Sequence, residues 1–145
     1  MKFPETDLQI AFANYMRLQY PKVLHIHVPN ERKTLVRRNK KGGFYTSEGS
    51  RLKRMGVISG VSDNLIFEPS IGITHIGLAI ELKIKPNKPT EEQLIFLSRL
   101  SAKGWKTAVC YTLDEAIGIT DSYFGREKSL HTSKGNPVKS YMLPE

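Results

Sequence analysis

The stretch Ile73-Thr74-His75-Ile76-Gly77-Leu78-Ala79-Ile80-Glu81-Leu82-Lys83-Ile84-Lys85 decides the fold, because apolar residues recur in it at a period of two. In an extended chain Ile76, Leu78, Ile80, Leu82 and Ile84 point to one face, while His75, Gly77, Ala79, Glu81 and Lys83 point to the other. The first row reads as core. On the second, small residues give way to charges, so some element packs closely over Gly77 and Ala79, and its cover opens into a cleft where Glu81 and Lys83 begin.

Upstream, residues 61–67 form a second strand, and Glu68-Pro69-Ser70-Ile71-Gly72 is the hairpin loop that joins it to the long one. Residues 22–28 alternate as a further strand that Pro29-Asn30 ends. Residues 3–20 read as an amphipathic helix, with Pro4 at its start and Leu8, Phe12, Tyr15 and Gln19 at helical spacing. Ser47 caps a short helix through Met55, and Gly56 suits its left-handed C-terminal position. Downstream, Thr90 and Gln93 form a capping-box pattern opening a helix whose apolar face is Phe96, Leu97 and Leu100 and which Gly104 ends. A strand over 106–111 and a helix capped by Thr112, with Glu115 as its partner, complete the pattern. The predicted order is α-β-(short α)-β-β-α-β-α, an α/β fold with a mixed central β-sheet flanked by helices.

A length of 145 residues, 39% apolar and 25% charged, fits one domain over 1–125, followed by a polar tail, 126–145, that is partly ordered or adds an edge strand. No run approaches the roughly 18 apolar residues of a membrane helix, and Met1-Lys2-Phe3-Pro4-Glu5 lacks a signal-peptide layout, so the expectation is a cytoplasmic protein with no membrane partner. The lone cysteine, Cys110, lies in an apolar run and reads as a small buried hydrophobe. The net charge of +8 is concentrated. Arg32, Lys33, Arg37, Arg38, Lys40, Lys41, Arg51, Lys53 and Arg54 stand against only Glu31 and Glu48 in the same segment. Such a block neutralises phosphates and releases their counterions, which makes nucleic acid the leading partner; a solvated loop is the plainer alternative.

The hairpin brings Asp63, at the opening of one strand, beside Glu81 on its partner. Two carboxylates offer hard oxygen ligands that suit Mg²⁺ or Mn²⁺. Such an ion polarises a phosphoryl oxygen and lowers the pKa of bound water. Glu81 and Lys83 leave the same strand face about 7 Å apart, which puts an ammonium where it can offset charge gathering on a phosphate. Each residue also has an ordinary reading. Glu81 and Lys83 can be a same-face ion pair, Asp63 a turn residue after Gly60, Gln93 the return half of a capping box, and Glu5 a favourable charge in a helix's first turn. His25 and His27 share a strand face, but no further histidines or cysteines complete a zinc set, and they read as half-exposed strand positions.

Taken together, Gly42-Gly43, then Gly49-Ser50-Arg51-Leu52-Lys53-Arg54-Met55-Gly56-Val57-Ile58-Ser59-Gly60-Val61-Ser62-Asp63, then Glu81-Leu82-Lys83, then Gln93 and Gly104 resemble the VRR-Nuc (virus-type replication-repair nuclease) family of the PD-(D/E)xK nuclease superfamily. The resemblance spans residues 5–123, and Ser62 stands where the superfamily has proline. It implies a restriction-endonuclease-like core. It also implies that Asp63, Glu81 and the backbone carbonyl of Leu82 bind metal, that Lys83 is the catalytic lysine, that Glu5 is the helix-borne acidic residue, and that Gln93 positions water or a ligand. Stand-alone, phage-type members act as homodimers on branched DNA, including four-way junctions. The expected function is therefore a metal-dependent, structure-selective DNA endonuclease whose basic segment grips the backbone without reading bases. The alternatives are a restriction-like enzyme that recognises a short sequence and a non-catalytic nucleic-acid-binding module on the same fold.

Overall fold

A computed structural model describes residues 4–29, 37–38, 44–45 and 47–126. Their order is α1 (Pro4–Gln19), β1 (His25–His27), β2 (Arg37–Arg38), β3 (Phe44–Tyr45), α2 (Ser47–Arg54), β4 (Asn64–Ile66), a 3₁₀ turn (Ile71–Ile73), β5 (Gly77–Leu82), α3 (Glu91–Ala102), β6 (Trp105–Cys110) and α4 (Leu113–Tyr123). The sheet runs β1-β4-β5-β6, antiparallel at its first two pairings and parallel where β5 meets β6. This is the expected mixed α/β architecture. The parallel pair demands a crossover, which α3 supplies.

Helices α1 and α4 cover one sheet face. Leu8, Phe12 and Met16 from α1 and Ala116 and Tyr123 from α4 close over Ile66, Leu78, Ile80, Leu82 and Cys110. The buried stripe of α1 thus follows an i, i+4, i+8 row ending at Met16. Tyr15, expected on that row, lies at its margin, where it and Tyr20 both donate their hydroxyls to Asp121. Burial and that carboxylate push both phenols upward. Helix α3 packs on the opposite face, against β5 and β6, with Gln93 and Leu97 turned inward. All six residues of β5 are therefore buried, as a central strand between two helical layers requires. The close approach expected at Gly77 is made by Trp105: a Cβ on Gly77 would lie 2.6 Å from that indole ring.

The long strand is shorter than its alternation suggests. Residues 73–76 belong to the loop, where the Ser70 amide donates to the His75 carbonyl, the Ser70 hydroxyl accepts the His75 N–H, and the Ile73 amide donates to the Ser70 carbonyl. That turn sets Ile73 at φ 55, off any strand geometry, and leaves Ile76, expected in the core, 56% exposed. A small antiparallel hairpin, β2 with β3, is an addition inside the basic segment, flanking Gly42-Gly43. Both caps form as expected. Thr90 and Gln93 close a reciprocal capping box, Gly104 takes φ 94 after α3, and the Thr112 hydroxyl accepts from the Glu115 amide. Cys110 is buried, which pushes its thiol up to about 11. Among the described residues no helix is long and apolar enough to cross a membrane. Gly42-Gly43, the tail from 127 onward, and Arg32, Lys33, Lys40 and Lys41 lie outside the described residues.

Candidate active site

The register pairs Asn64 with Ile80, so Asp63 falls opposite Glu81 one step beyond the last rung of the β4–β5 ladder. Where the ladder stops, backbone N–H groups need other acceptors. The two carboxylates supply them reciprocally: the Leu82 amide donates to Asp63 Oδ2 at 2.9 Å, and the Asp63 amide donates to Glu81 Oε2 at 3.2 Å. Each acid is thereby fixed to the other's strand. Glu81 is 0% exposed and Asp63 9%. In a strand the N–H and C=O of one residue face the same edge, so the carbonyl of Leu82 is directed towards the Asp63 side as well.

Three further groups complete the cluster. Lys83 Nζ lies 3.4 Å from Glu81 Oε1, and Gln93 Nε2 donates to the same oxygen at 2.6 Å. Gln93 Oε1 accepts the Thr90 N–H at 2.8 Å, which orients the carboxamide so that its NH₂ faces Glu81. The capping reading of Gln93 is thus correct, and the same side chain that closes the cap also bonds Glu81. Gly60 holds this corner together: a Cβ there would stand 2.4 Å from the backbone of Glu92, so only glycine lets the chain after α2 lie against the start of α3.

Electrostatically, Glu81 is the perturbed member. Burial first, and the neighbouring Asp63 charge second, raise it from 4.5 to about 7, against the opposing pull of Lys83 and the Asp63 N–H. A carboxyl raised by its acidic neighbour is relieved by a cation between the two, and two carboxylates with a main-chain carbonyl form an all-oxygen set suited to Mg²⁺ or Mn²⁺, with water completing the shell. Among the described residues no group of three or more His, Cys, Asp and Glu side chains gathers closely enough to hold an ion by itself, so the fit rests on this smaller set.

In front of the cluster lies a cleft of about 300 Å³, lined by Glu5, Gln9, His27, Pro29, Asp63 and Leu82 among others. Glu5, in the first turn of α1, therefore lines the same cleft as Asp63 and Leu82. His27 is a cleft residue that the sequence left as a strand position. Its Nδ1 donates to the Asp63 carbonyl at 2.8 Å, since a carbonyl can only accept, and this fixes the ring at the cleft wall. The signal available in sequence was its place one residue before the end of an alternating run. Of the basic residues, Arg51, Lys53 and Arg54 are exposed on α2, and Arg37 and Arg38 lie on β2.

The fold is shared with a solved structure described as a VRR_NUC domain protein, at a TM-score of 0.66 and 22% identity over 86% of this chain and 91% of that one. No family model matches the sequence, and no curated protein matches it.

Proposed function

We propose that this chain, which has the fold of a VRR_NUC domain protein, is a VRR-Nuc nuclease: a divalent-metal-dependent endonuclease that hydrolyses phosphodiesters in branched DNA. The observation that carries the reading is the reciprocal lock of Asp63 and Glu81, with Lys83 3.4 Å from the shared acid. A fold alone does not specify chemistry. Two buried acids held side by side draw on two backbone amides, Lys83 and Gln93 for compensation yet still repel one another, and a cation between them would remove that repulsion.

Asp63, Glu81 and the Leu82 carbonyl would hold Mg²⁺ or Mn²⁺, which when bound polarises a phosphoryl oxygen and makes water nucleophilic near neutral pH. Lys83 sets a positive charge beside the reacting phosphate and orients the attacking water. Gln93 holds Glu81 in place by keeping one of its oxygens hydrogen-bonded. Glu5, which lines the same cleft as Asp63, adds a third acidic group. Arg51, Lys53 and Arg54 on α2, with Arg37, Arg38 and the basic residues between Arg32 and Lys41, grip the phosphate backbone without reading bases. Symmetric cutting of a four-way junction needs two such sites, so the working form is a homodimer.

The test is a panel of four-way junction, flap, splayed-arm and linear duplex DNA, each incubated with Mg²⁺ or Mn²⁺, alongside sedimentation of the chain with and without junction. Cutting confined to branched substrates by a dimer supports the proposal. Cutting of one linear sequence at the same rate without a branch points instead to a sequence-reading enzyme, and binding without any cutting points to a non-catalytic module.

A further inference from the structure

We propose that Gln9 and Asn64 are positioning residues, a clamp that sets the register of α1 on the sheet and so places Glu5 in the cleft that Asp63 lines; this rests on the nuclease reading above. Gln9 Nε2 donates to Asn64 Oδ1 at 2.8 Å, and Asn64 Nδ2 donates back to Gln9 Oε1 at 2.8 Å. His25 Nε2 donates to the same Asn64 oxygen at 2.7 Å, so the pair joins α1, β1 and β4. Asn64 is 0% exposed, among the fully buried Ile66 and Ile80.

An apolar pair at these two positions would leave only His25 Nε2 to find another acceptor. A buried amide pair adds little net stability over an apolar pair of the same shape, so stability does not account for it. Register does. Leu8, Phe12 and Met16 attach α1 to the sheet through contacts with no directional preference, whereas a reciprocal carboxamide pair closes in only one alignment. Each half of the clamp adjoins a site residue. Glu5 lies one turn before Gln9 on the same helix face, and Asp63 directly precedes Asn64. Glu5, Gln9 and Asp63 all line the cleft, so a slip of α1 moves Glu5 relative to Asp63 while leaving Glu81, Lys83 and Gln93 where they are.

The experiment is a double-mutant cycle on junction cleavage in Mn²⁺, with kcat, KM and melting temperature read for each protein. The apolar pair Gln9→Leu with Asn64→Leu should fold and keep KM within about twofold while kcat falls about tenfold or more, as misplacement of a site group does. The swapped pair, Gln9→Asn with Asn64→Gln, should recover most of kcat. Adding Glu5→Ala to the apolar pair should reduce kcat far less than it does in the wild type, because Glu5 is already out of place. If the apolar pair does not fold, Gln9→Ser, which leaves Asn64 bonded to His25, takes its place in the cycle with the same expectation. An apolar pair as active as the wild type, or a Glu5→Ala effect of equal size in both backgrounds, overturns the clamp alone. A wild type that cuts nothing overturns the nuclease reading, and the clamp with it.

Discussion

Replacing Glu81 with glutamine tests the electrostatics of the cluster without DNA. In the folded chain Glu81 is raised from 4.5 to about 7, chiefly by burial and then by Asp63. Between those two values the folded state holds a proton that the unfolded chain has released. Stability from this group is therefore fully present below about 4.5, falls as pH rises towards 7, and is flat above. The whole change corresponds to about 3 kcal/mol, and Glu81 is closed to solvent, so bulk screening does not reduce it much. Glu81→Gln removes the titration while keeping the shape. Urea denaturation of both proteins at intervals from pH 4 to 8, with chelator present, should show a difference in unfolding free energy that shifts by about 3 kcal/mol in favour of Glu81→Gln as pH rises from 4.5 to 7.5. The comparison cancels the titrating groups that do not interact with position 81. Adding Mn²⁺ should reverse the trend for the wild type only, since a bound cation favours the ionised acid. A difference that stays constant across this range would refute the argument that Glu81 and Asp63 repel one another in a closed site.

Three other outcomes follow from particular contacts. Gly60→Ala, forced against the Glu92 backbone at a φ of 78, should destabilise the chain by roughly 2–4 kcal/mol in the same urea assay; a change below about 1 kcal/mol would show that the corner at α3 is loose. The buried hydroxyl of Ser62 has no hydrogen-bond partner among the described residues, so Ser62→Ala should stabilise by about 1 kcal/mol and raise the melting temperature, whereas a lower one would mean that the hydroxyl is satisfied. Replacing Arg51, Lys53 and Arg54 together with alanine should weaken DNA binding and reduce the slope of log affinity against log salt by nearly three, at about 0.9 per lost phosphate contact; an unchanged slope would make α2 a solvated surface helix.

The parts of the fold legible in the sequence are those whose signals are local. Alternation located β5, the Thr90 and Gln93 pair located the start of α3, and Gly77 announced the ring that lies on it. Ile73 and Ile76 show the limit. Their place in an alternating row says strand, but the turn is fixed by Ser70 reaching His75, a contact between loop residues that no period encodes. Likewise Asp63, Glu81 and Lys83 were legible as a group because one hairpin register brings them together. His27, Gln9 and Asn64 were not, since their partners come from β4 and α1 and their separate residue types carry no pattern. The cap at Gln93 was legible from its spacing to Thr90, and the same placement turns its side chain towards Glu81 on β5.

The most direct measurement is cleavage of a four-way junction in Mn²⁺ by the wild type and by Lys83→Ala and Asp63→Asn, with DNA binding followed in parallel. Nicked product is expected from the wild type only, with all three proteins binding the junction to within a few-fold. Wild type and variants equally inert across branched and linear DNA, or variants that cut at the wild-type rate, would contradict this.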